Sequence, residues 1–460
     1  MQVGSELIAR LRLICGEGHV LADPAALAPY RSDAGRRHRQ LPLAAVLPGS
    51  AVEVASVVRA CADAGVPFVA RGAGTGLAGA AVPVAGGVLL VLSRMRQIVA
   101  VDLDDEVVVA EAGASARALA RALAPSHFLP CAPSGDAATI GGIVATNAGG
   151  PRSLKYGPVR RHLAGLDVVL PDGRQVELRH GDRGYDLLGT FAGSEGTLGV
   201  ATAVHVRVLP TPPDVRTAVA YFDGVVAAAE AAVAILAAGI EPAALELLDR
   251  RVLEISEQAT AAGLASDPPG AGAALLIELD GAREECDAAE DALEGALIRA
   301  GARNLRIAHD APERALLWRA HTAALAGLGR AANAFIVQDP AVPPSSLPGV
   351  LRRVQALAGR SRFEVILTAR AGEGVLLPIV LYDARVPGEA TQAQELSDAI
   401  TDACVDAGGT ITAEHGVGIA GPERLQSLFS SADLDAFGRL RATFDPGGLA
   451  NPGRAAAVAL

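Results

Sequence analysis

The chain has 460 residues, a net charge of −11, and a composition in which 50% of the residues are hydrophobic and 3% are aromatic. This length allows two or three domains of ~150 residues each, and the composition is typical of a folded α/β protein rather than a disordered one. The acidic balance argues against binding to nucleic acid or to an anionic membrane surface.

The cysteines are scattered and form no CxxC pair, so we expect a reduced, cytoplasmic protein without a zinc–thiolate or iron–sulfur site of its own. Residues 1–20 contain Glu6, Arg10 and Arg12 within an apolar run, which excludes a signal peptide and a membrane-spanning helix there. Peripheral attachment to a membrane through a partner stays open. The cysteines are Cys15, Cys61, Cys131, Cys286 and Cys404.

Residues 1–40 predict a helical lead-in, after which strands and helices alternate. The pattern predicts strands at 44–47 and 66–70 around a helix at 51–64 that Ser50 caps. Further strands are expected at 87–92, 98–101, 107–112, 166–170, 175–178 and 201–208, with a helix at 114–123. Three prolines at 210, 212 and 213 mark a boundary. Beyond it we expect helices at 225–238 and 283–300 and strands at 244–248 and 274–279.

A glycine-dense run, Arg71 to Gly79, follows the strand predicted at 66–70. Glycines reach positive φ without strain and carry no Cβ, so consecutive N–H groups can converge on a phosphate. Residues 74–79 also match GxGxxG, but a Rossmann site needs a helix that begins within the glycines. Pro83, Gly86 and Gly87 exclude that helix. The run therefore disfavours a nicotinamide cofactor.

Two more glycine-rich segments, 133–150 and 193–199, lie between predicted strands of the same domain. One such segment is often only a tight turn. Three in one domain suit a long ligand with a diphosphate in its middle, and FAD is such a ligand.

At these residues the chain resembles the flavin-binding domain of the vanillyl-alcohol oxidase and p-cresol methylhydroxylase superfamily (PCMH-type). Within it, the chain is similar to the branch with the D subunit of glycolate oxidase, D-lactate dehydrogenase and D-2-hydroxyglutarate dehydrogenase. The motifs that carry the resemblance are Arg71-Gly72-Ala73-Gly74-Thr75-Gly76-Leu77, Ile140-Gly141-Gly142 with Asn147-Ala148-Gly149-Gly150, Leu154-Lys155-Tyr156-Gly157, Gly193-Ser194-Glu195-Gly196-Thr197-Leu198-Gly199, Glu414-His415-Gly416, and Phe444-Asp445-Pro446 with Asn451-Pro452-Gly453.

The resemblance implies an α+β fold: a lead-in at 1–40, a two-subdomain FAD-binding domain at 41–211, a substrate (cap) domain at 212–410, and a helical C-terminal segment at 411–460 that returns to the flavin. Some members attach the flavin covalently through a His or Cys near the glycine turn, and residues 66–87 contain neither, so we expect noncovalent FAD. The implied FAD-binding residues are Arg71, Gly72, Ala73, Gly74, Thr75, Gly76, Leu77, Pro133, Ser134, Thr139, Gly141, Gly142, Asn147, Gly149, Gly196, Gly199, Val200 and Asn451.

The resemblance implies oxidation of a 2-hydroxy acid, which needs a base for the hydroxyl proton, a cation for the carboxylate, and stabilisation of alkoxide charge. His415 is the candidate base, because it stands in the glycine-flanked motif Glu414-His415-Gly416 and histidine titrates in the working pH range. The scattered cysteines of this chain form no iron–sulfur motif, so an external electron acceptor is implied. The candidates are an iron–sulfur subunit, an electron-transfer flavoprotein, a quinone or dioxygen.

The family's metal-binding segment, HxGDGNxHP, is altered in this chain. Arg370 and Leu377 stand where the two histidines belong, and Val375 stands where the asparagine belongs. Glu414 alone does not make a tight metal site, so we expect no bound metal.

The family's Trp-x-x-Arg is also altered, since His321 replaces the arginine after Trp318. A bidentate grip on a carboxylate is then missing at that position, and a protonated His321 could supply part of it.

Two interpretations remain open. In the first, the Arg370 guanidinium replaces the metal charge, pairs with Glu414 and meets an anionic substrate, which leaves an active, metal-independent oxidoreductase. In the second, the active site has decayed and the chain is a flavin-binding subunit. The retained Glu414 and His415 favour the first, and Leu377 favours the second or a more apolar substrate.

Overall fold

The structure of the chain is a computed structural model that describes residues 2–265, 269–419 and 421–455. It divides into two compact units. The first comprises the described residues of Met1–Gly150, Gly157–Thr211 and Glu414–Leu460, and the second those of Pro151–Tyr156 and Pro212–Ala413. In the described residues, no helix is both long and apolar enough to span a membrane.

The described elements are numbered in chain order. The strands are β1 (Val20–Leu21), β2 (Ala44–Val46), β3 (Phe68–Arg71), β4 (Val88–Val91), β5 (Ile98–Asp102), β6 (Val107–Glu111), β7 (His127–Phe128), β8 (Leu163–Val169), β9 (Gln175–Arg179), β10 (Val200–Arg207), β11 (Leu209–Pro210), β12 (Asp214–Phe222), β13 (Ala244–Asp249), β14 (Ala273–Gly281), β15 (Asn304–Ile307), β16 (Ala334–Val337), β17 (Val365–Arg370) and β18 (Val375–Tyr382). The α-helices are α1 (Gln2–Cys15), α2 (Pro24–Leu27), α3 (Ala51–Ala64), α4 (Ala116–Leu123), α5 (Ile140–Ala145), α6 (Ser153–Tyr156), α7 (Leu187–Phe191), α8 (Val225–Ala237), α9 (Arg250–Thr260), α10 (Arg283–Arg299), α11 (Ala311–Ala331), α12 (Leu347–Gly359), α13 (Glu389–Val405) and α14 (Ser431–Phe444).

The first unit contains two sheets, each with its own helices. The four-stranded sheet has the order β1-β2-β4-β3, and its inner strands are parallel. The five-stranded sheet has the order β5-β6-β10-β8-β9 and is antiparallel. Helices α1 and α3 share one apolar core with the first sheet, and α4 and α5 share another with the second. The predicted two-subdomain, α+β architecture is confirmed.

Helix α3 illustrates how local sequence directs this unit. The Ser50 hydroxyl accepts a hydrogen bond from the N–H of Glu53 at 3.2 Å and so satisfies one free donor of the first turn. Gly65 ends the helix with a left-handed backbone, φ 63°. Val54 and Val58, which are four residues apart, are buried on the same face. The predicted bounds are those observed.

The second unit is built on a seven-stranded antiparallel sheet with the order β15-β12-β14-β13-β17-β18-β16. Apolar cores lie on both of its faces. One core packs helices α8, α10, α12 and α13 against the sheet, and the other packs α9 and α11. Both faces are covered, so the strands read as nearly continuous apolar runs instead of alternating ones.

One face of this sheet carries charged residues at one end. Glu246 of β13 pairs with Arg370 of β17, and Glu278 of β14 pairs with Ala244, two residues before Glu246. Side chains of paired residues, and of residues two apart, point to the same face. Glu246, Glu278, Asp280 and Arg370 therefore lie together on the face that α11 covers.

Candidate functional site

The glycine run after β3 is organised around a buried arginine. Arg71, 8% exposed, turns back and donates from Nη1 to the carbonyl of Ala81 at 3.1 Å. Gly74 has φ 69°, and a Cβ there would lie 2.2 Å from Arg71 Nη2, so only glycine fits. No helix occurs between Arg71 and Val88, all of which the structure describes. The predicted lack of a Rossmann helix is confirmed.

A second buried cation lies behind the same run. Arg454 donates to the carbonyls of Gly79 at 3.1 Å and Val82 at 3.0 Å. Burial lowers the pKa of Arg71 and of Arg454, yet an arginine stays protonated in the physiological range. Both guanidinium groups are fixed by hydrogen bonds to carbonyl oxygens of the run. Their positive charges favour binding of an anion there. Ala73, Thr75 and Gly76 form its exposed tip, and Leu77 is partly buried.

The second glycine segment holds a short helix, α5, where the sequence predicts only a glycine-rich connection. Thr139 caps it and accepts from the N–H of Gly142 at 3.4 Å. A Cβ on Gly141 would lie 2.7 Å from the Cβ of Ala112, so through Gly141 the helix packs closely on the residue that follows β6. The first two segments are in contact at Gly72, because a Cβ there would lie only 2.0 Å from Thr139 Oγ1.

The residues that flank α5 extend this segment. Pro133 and Ser134 lie in a partly buried loop before the helix. Asn147 follows the helix with φ 50°, and its Oδ1 accepts from the N–H of Arg160 at 3.2 Å. Gly149 is buried.

The third segment joins the second through backbone hydrogen bonds. The N–H of Gly193 donates to the carbonyl of Val144 at 2.9 Å, and that of Glu195 donates to the carbonyl of Ala145 at 2.8 Å. Together the three segments line an open cleft. Val144, Ala145 and Ser194 also line it and were not predicted, although they adjoin glycine motifs. The predicted residues in its lining are Arg71, Gly72, Thr139, Gly141, Gly142, Gly196, Gly199 and Val200.

The C-terminal segment returns to these turns. Asn451 is 1% exposed, and its Nδ2 donates to the carbonyls of Ala80 at 2.9 Å and Glu195 at 2.6 Å. It thereby ties the first glycine run to the third. Both carbonyl groups accept a hydrogen bond from Asn451, so the C-terminal segment helps to fix the positions of the first and third glycine segments around the cleft.

Glu414 and His415 belong to the first unit and are both partly buried. Their loop is attached to two of the glycine segments. The N–H of Ile419 donates to the carbonyl of Ala78 at 3.0 Å, and that of Val417 donates to Glu195 Oε1 at 2.6 Å. The candidate base is thus held next to the first and third glycine segments of its own unit.

Arg370 and His321 belong to the second unit and meet at Glu246. Glu246, 2% exposed, lies with Oε2 3.2 Å from His321 Nε2 and Oε1 4.0 Å from Arg370 Nε. Arg370 Nη1 also donates to Ser153 Oγ at 3.3 Å and lies 3.9 Å from Glu373 Oε2. Sequence reasoning missed Glu246, because its strand has no local signal of function. The proposed pairing of Arg370 with Glu414 stays a prediction.

The neighbouring carboxylates, Glu278 and Asp280, form ion pairs with cations in or just before α6. Arg152 lies 2.6 Å from Glu278 Oε1, and Lys155 lies 2.5 Å from Asp280 Oδ1. The Glu278 carboxylate also accepts from Trp318 Nε1 at 2.5 Å. In both pairs the carboxylate is buried and the cation is partly exposed, and the pairs hold residues 152–155 on the sheet. In contrast, neither Glu246 Oε1 nor His321 Nδ1 has a hydrogen-bond partner among the described residues.

The altered metal segment forms the hairpin of β17 and β18. Arg370 ends β17 and pairs with Val375, and Leu377 is partly buried opposite Thr368. Among residues 2–265, 269–419 and 421–455, no group of three or more His, Cys, Asp or Glu side chains is arranged to hold a metal ion. The absence of a metal in the protein stays a prediction.

Two families match the chain, in the order expected from its units. Residues 42–179 match the family described as FAD binding domain, and residues 211–455 match FAD linked oxidases, C-terminal domain. The glycolate oxidase subunit GlcD of Escherichia coli (strain K12) is 37% identical over 95% of this chain and 88% of its own length. The D-lactate dehydrogenase of Archaeoglobus fulgidus is 31% identical over 89% of this chain and 90% of its own.

Solved structures agree on the fold. A p-cresol methylhydroxylase has a TM-score of 0.84 at 18% identity over 100% of this chain and 97% of its own. An alkyldihydroxyacetonephosphate synthase has a TM-score of 0.79 at 20% identity over 97% and 84%. Fold and cleft define a PCMH-type flavoprotein. The chain belongs to the FAD-linked oxidase family, and its cofactor is FAD.

The cleft fits that cofactor. Arg71, Leu166 and Phe191 line the cleft, where the cation suits a phosphate and the apolar side chains suit a ring system. Gly76 and Arg454 lie outside this lining, in the exposed tip of the first glycine run and behind that run. The chain is an FAD-linked oxidoreductase, and its relatives support oxidation of hydroxy acids in general.

Proposed function

We propose that the protein oxidises a 2-hydroxy acid of the glycolate, D-lactate or D-2-hydroxyglutarate kind and passes the electrons to an external acceptor. The observation that carries this proposal is the cleft in which three glycine segments meet, with the Glu414–His415 loop bonded to two of them. Relatives named glycolate oxidase subunit and D-lactate dehydrogenase support the substrate class.

When bound, FAD supplies a hydride acceptor at its N5 atom. His415 accepts the hydroxyl proton of the substrate. The oxygen then gains alkoxide character, which helps the hydride to leave the carbon. Arg370 and a protonated His321 are the cations proposed for the substrate carboxylate. Their shared partner Glu246 keeps both side chains oriented, because a buried carboxylate attracts each of them.

The proposal includes metal independence. Arg370 occupies the sequence position of a metal-ligating histidine and brings a permanent positive charge, so it can stabilise an anion without a metal ion. Leu377 occupies the position of the second histidine and cannot ligate a metal. An apolar side chain there also favours a substrate with an apolar substituent.

The electron acceptor is proposed to be another molecule: an iron–sulfur subunit, an electron-transfer flavoprotein, a quinone or dioxygen. All five cysteines are buried and free, and burial raises the pKa of Cys61, Cys131 and Cys404 to about 12. Buried thiols with raised pKa values are poor metal ligands and poor nucleophiles. We expect the protein in the cytoplasm. If its electron acceptor is membrane-bound, the protein would attach to the membrane only peripherally, through that acceptor.

The test is anaerobic reduction of the bound flavin. Purified protein is mixed with glycolate, both enantiomers of lactate and both of 2-hydroxyglutarate, and the visible flavin bands are followed. We expect at least one acid to bleach them, and His415→Asn to slow the bleaching while dithionite still reduces the flavin. If no acid bleaches wild-type flavin that dithionite reduces, the alternative gains support, namely a flavin-binding subunit with an altered site.

A further inference from the structure

The loop that carries Glu414 and His415 is where the chain passes from the second unit to the first, between Ala413 and Glu414. It belongs to no helix or strand. Gly416 and Gly418, with φ 88° and 58°, give its backbone conformations that other residues adopt only with strain. A loop of this kind needs external contacts if a side chain on it is to keep one position.

Within the first unit, the loop is held by a buried carboxylate. Glu195 is 4% exposed, and its Oε1 accepts from the N–H of Val417 at 2.6 Å. Its Oε2 accepts from the N–H of Gly418 at 3.0 Å. A Cβ on Gly416 would lie 2.5 Å from Glu195 Oε1, so the glycine allows this approach. Hydrogen bonds from backbone N–H groups to an ionised carboxylate are short and strong.

Within the second unit, another buried carboxylate holds the residues just before the passage. Asp339 is 2% exposed, and its Oδ1 accepts from Thr412 Oγ1 at 2.9 Å. Its Oδ2 accepts from the N–H of Ala413 at 3.1 Å. Residues 339 and 412 also form an isolated parallel bridge. Along the chain, Glu414-His415 thus follows residues that Asp339 holds and precedes residues that Glu195 holds.

We propose that Glu195 and Asp339 are positioning residues for His415, and that they act by clamping the backbone on both sides of it. The proposal rests on the proposed function, in which His415 accepts the substrate proton. Proton transfer depends steeply on the distance and angle between base and hydroxyl, so a looser loop lowers the rate of flavin reduction more than it lowers substrate binding.

The test compares E195Q and D339N with wild type, and E111Q serves as the matched control. Glu111 also accepts a backbone hydrogen bond, from Gln97 N at 2.7 Å, but in the five-stranded sheet. In E195Q and D339N the amide nitrogen faces a donor, so one of the clamp hydrogen bonds is lost. We expect full FAD content, flavin reduction that is slower by roughly 10- to 100-fold, and substrate affinity changed by less than about threefold. E111Q should behave like wild type.

Coupling to His415 separates positioning from general damage. In a His415→Asn background, E195Q and D339N should cause no further loss of rate, because residues that act as a unit are not additive. Hydrogen exchange of residues 412–418 should also accelerate in both variants, even without substrate. The same fold-loss in the His415→Asn background, or wild-type rates in both variants, overturns the proposal.

The two proposals can fail separately. If no 2-hydroxy acid reduces the wild-type flavin, the proposed function fails. Hydrogen exchange then still tests the clamps, and unchanged exchange at 412–418 overturns them. If wild type is reduced and the clamp variants are reduced at the same rate, only the clamps fail.

Discussion

Arg370 and Glu246 face each other on adjacent strands of the seven-stranded sheet, with Arg370 Nε 4.0 Å from Glu246 Oε1. Their side chains are 10% and 2% exposed. At this separation the two charges attract each other, although Glu246 Oε1 accepts no hydrogen bond within the part of the chain that the structure describes. Arg370 is therefore both a partner of Glu246 and the proposed carboxylate ligand.

Arg370→Ala should abolish turnover and leave the FAD content unchanged. It should also lower the free energy of unfolding by about 3–5 kcal/mol, because it leaves Glu246 buried with less compensation. Denaturant titration and steady-state assays measure the two effects. In the double variant Arg370→Met, Glu246→Gln, part of the stability should return without activity. An active Arg370→Ala enzyme would end the idea that its charge replaces a metal.

Gly76→Ala should weaken FAD binding without unfolding the protein. Gly76 needs no positive φ, and no atom lies within 4 Å of the position that a Cβ would occupy, so the added methyl group meets only the ligand. We expect a loss of about 1–3 kcal/mol in FAD affinity, as is typical of overpacking. Fluorescence titration of the apoprotein measures it, with Gly18→Ala as a control that has equally open surroundings. Unchanged affinity would contradict contact between FAD and this turn.

The flavin should leave the protein on acid precipitation. No His or Cys occurs at 66–87, so the glycine run offers no side chain for a covalent bond of the kind some superfamily members form. The supernatant should carry the yellow colour and the pellet should be white. A yellow pellet would mean a covalent link elsewhere in the cleft.

Chelation should not affect the enzyme. Because Arg370 and Leu377 replace histidines, EDTA dialysis should leave the rate of flavin reduction unchanged, and elemental analysis should find no stoichiometric zinc or manganese. Activity that falls with EDTA and returns with a divalent metal would show that other residues complete a metal site.

Asp249 should make stability fall as pH rises from about 4 to 6. Burial raises its pKa from 3.8 to about 6, although its carboxylate accepts from the N–H groups of Val252 at 2.8 Å and Leu367 at 2.6 Å. The folded protein then binds this proton more tightly than the unfolded chain, so ionisation opposes folding by roughly 1.4 kcal/mol per pKa unit. Asp249→Asn should remove this contribution, which denaturant titrations at pH 4.5 and 6.5 would detect. Identical pH dependence in wild type and variant would contradict it.

Sequence reasoning succeeded where the signal is local. The helix over Ala51–Ala64 follows from its cap and its apolar period, and the absence of a Rossmann helix follows from Pro83. It failed at α5, since Gly141 and Gly142 disfavour a helix by about 1 kcal/mol each. Close packing of Gly141 on Ala112 overrides that preference, and packing partners distant in the chain are not visible locally.

The sequence by itself indicated FAD, because glycine turns are encoded by neighbouring residues, and its motifs carried the resemblance to the family. The tertiary structure alone decided which charges meet. Glu195 and Val417 are 222 residues apart, yet their hydrogen bond holds the His415 loop. Glu246 gains its role only because β13 pairs with β17 and α11 covers that face. Register and packing are set by the whole chain, so the residues that position the chemistry emerge only in the folded molecule.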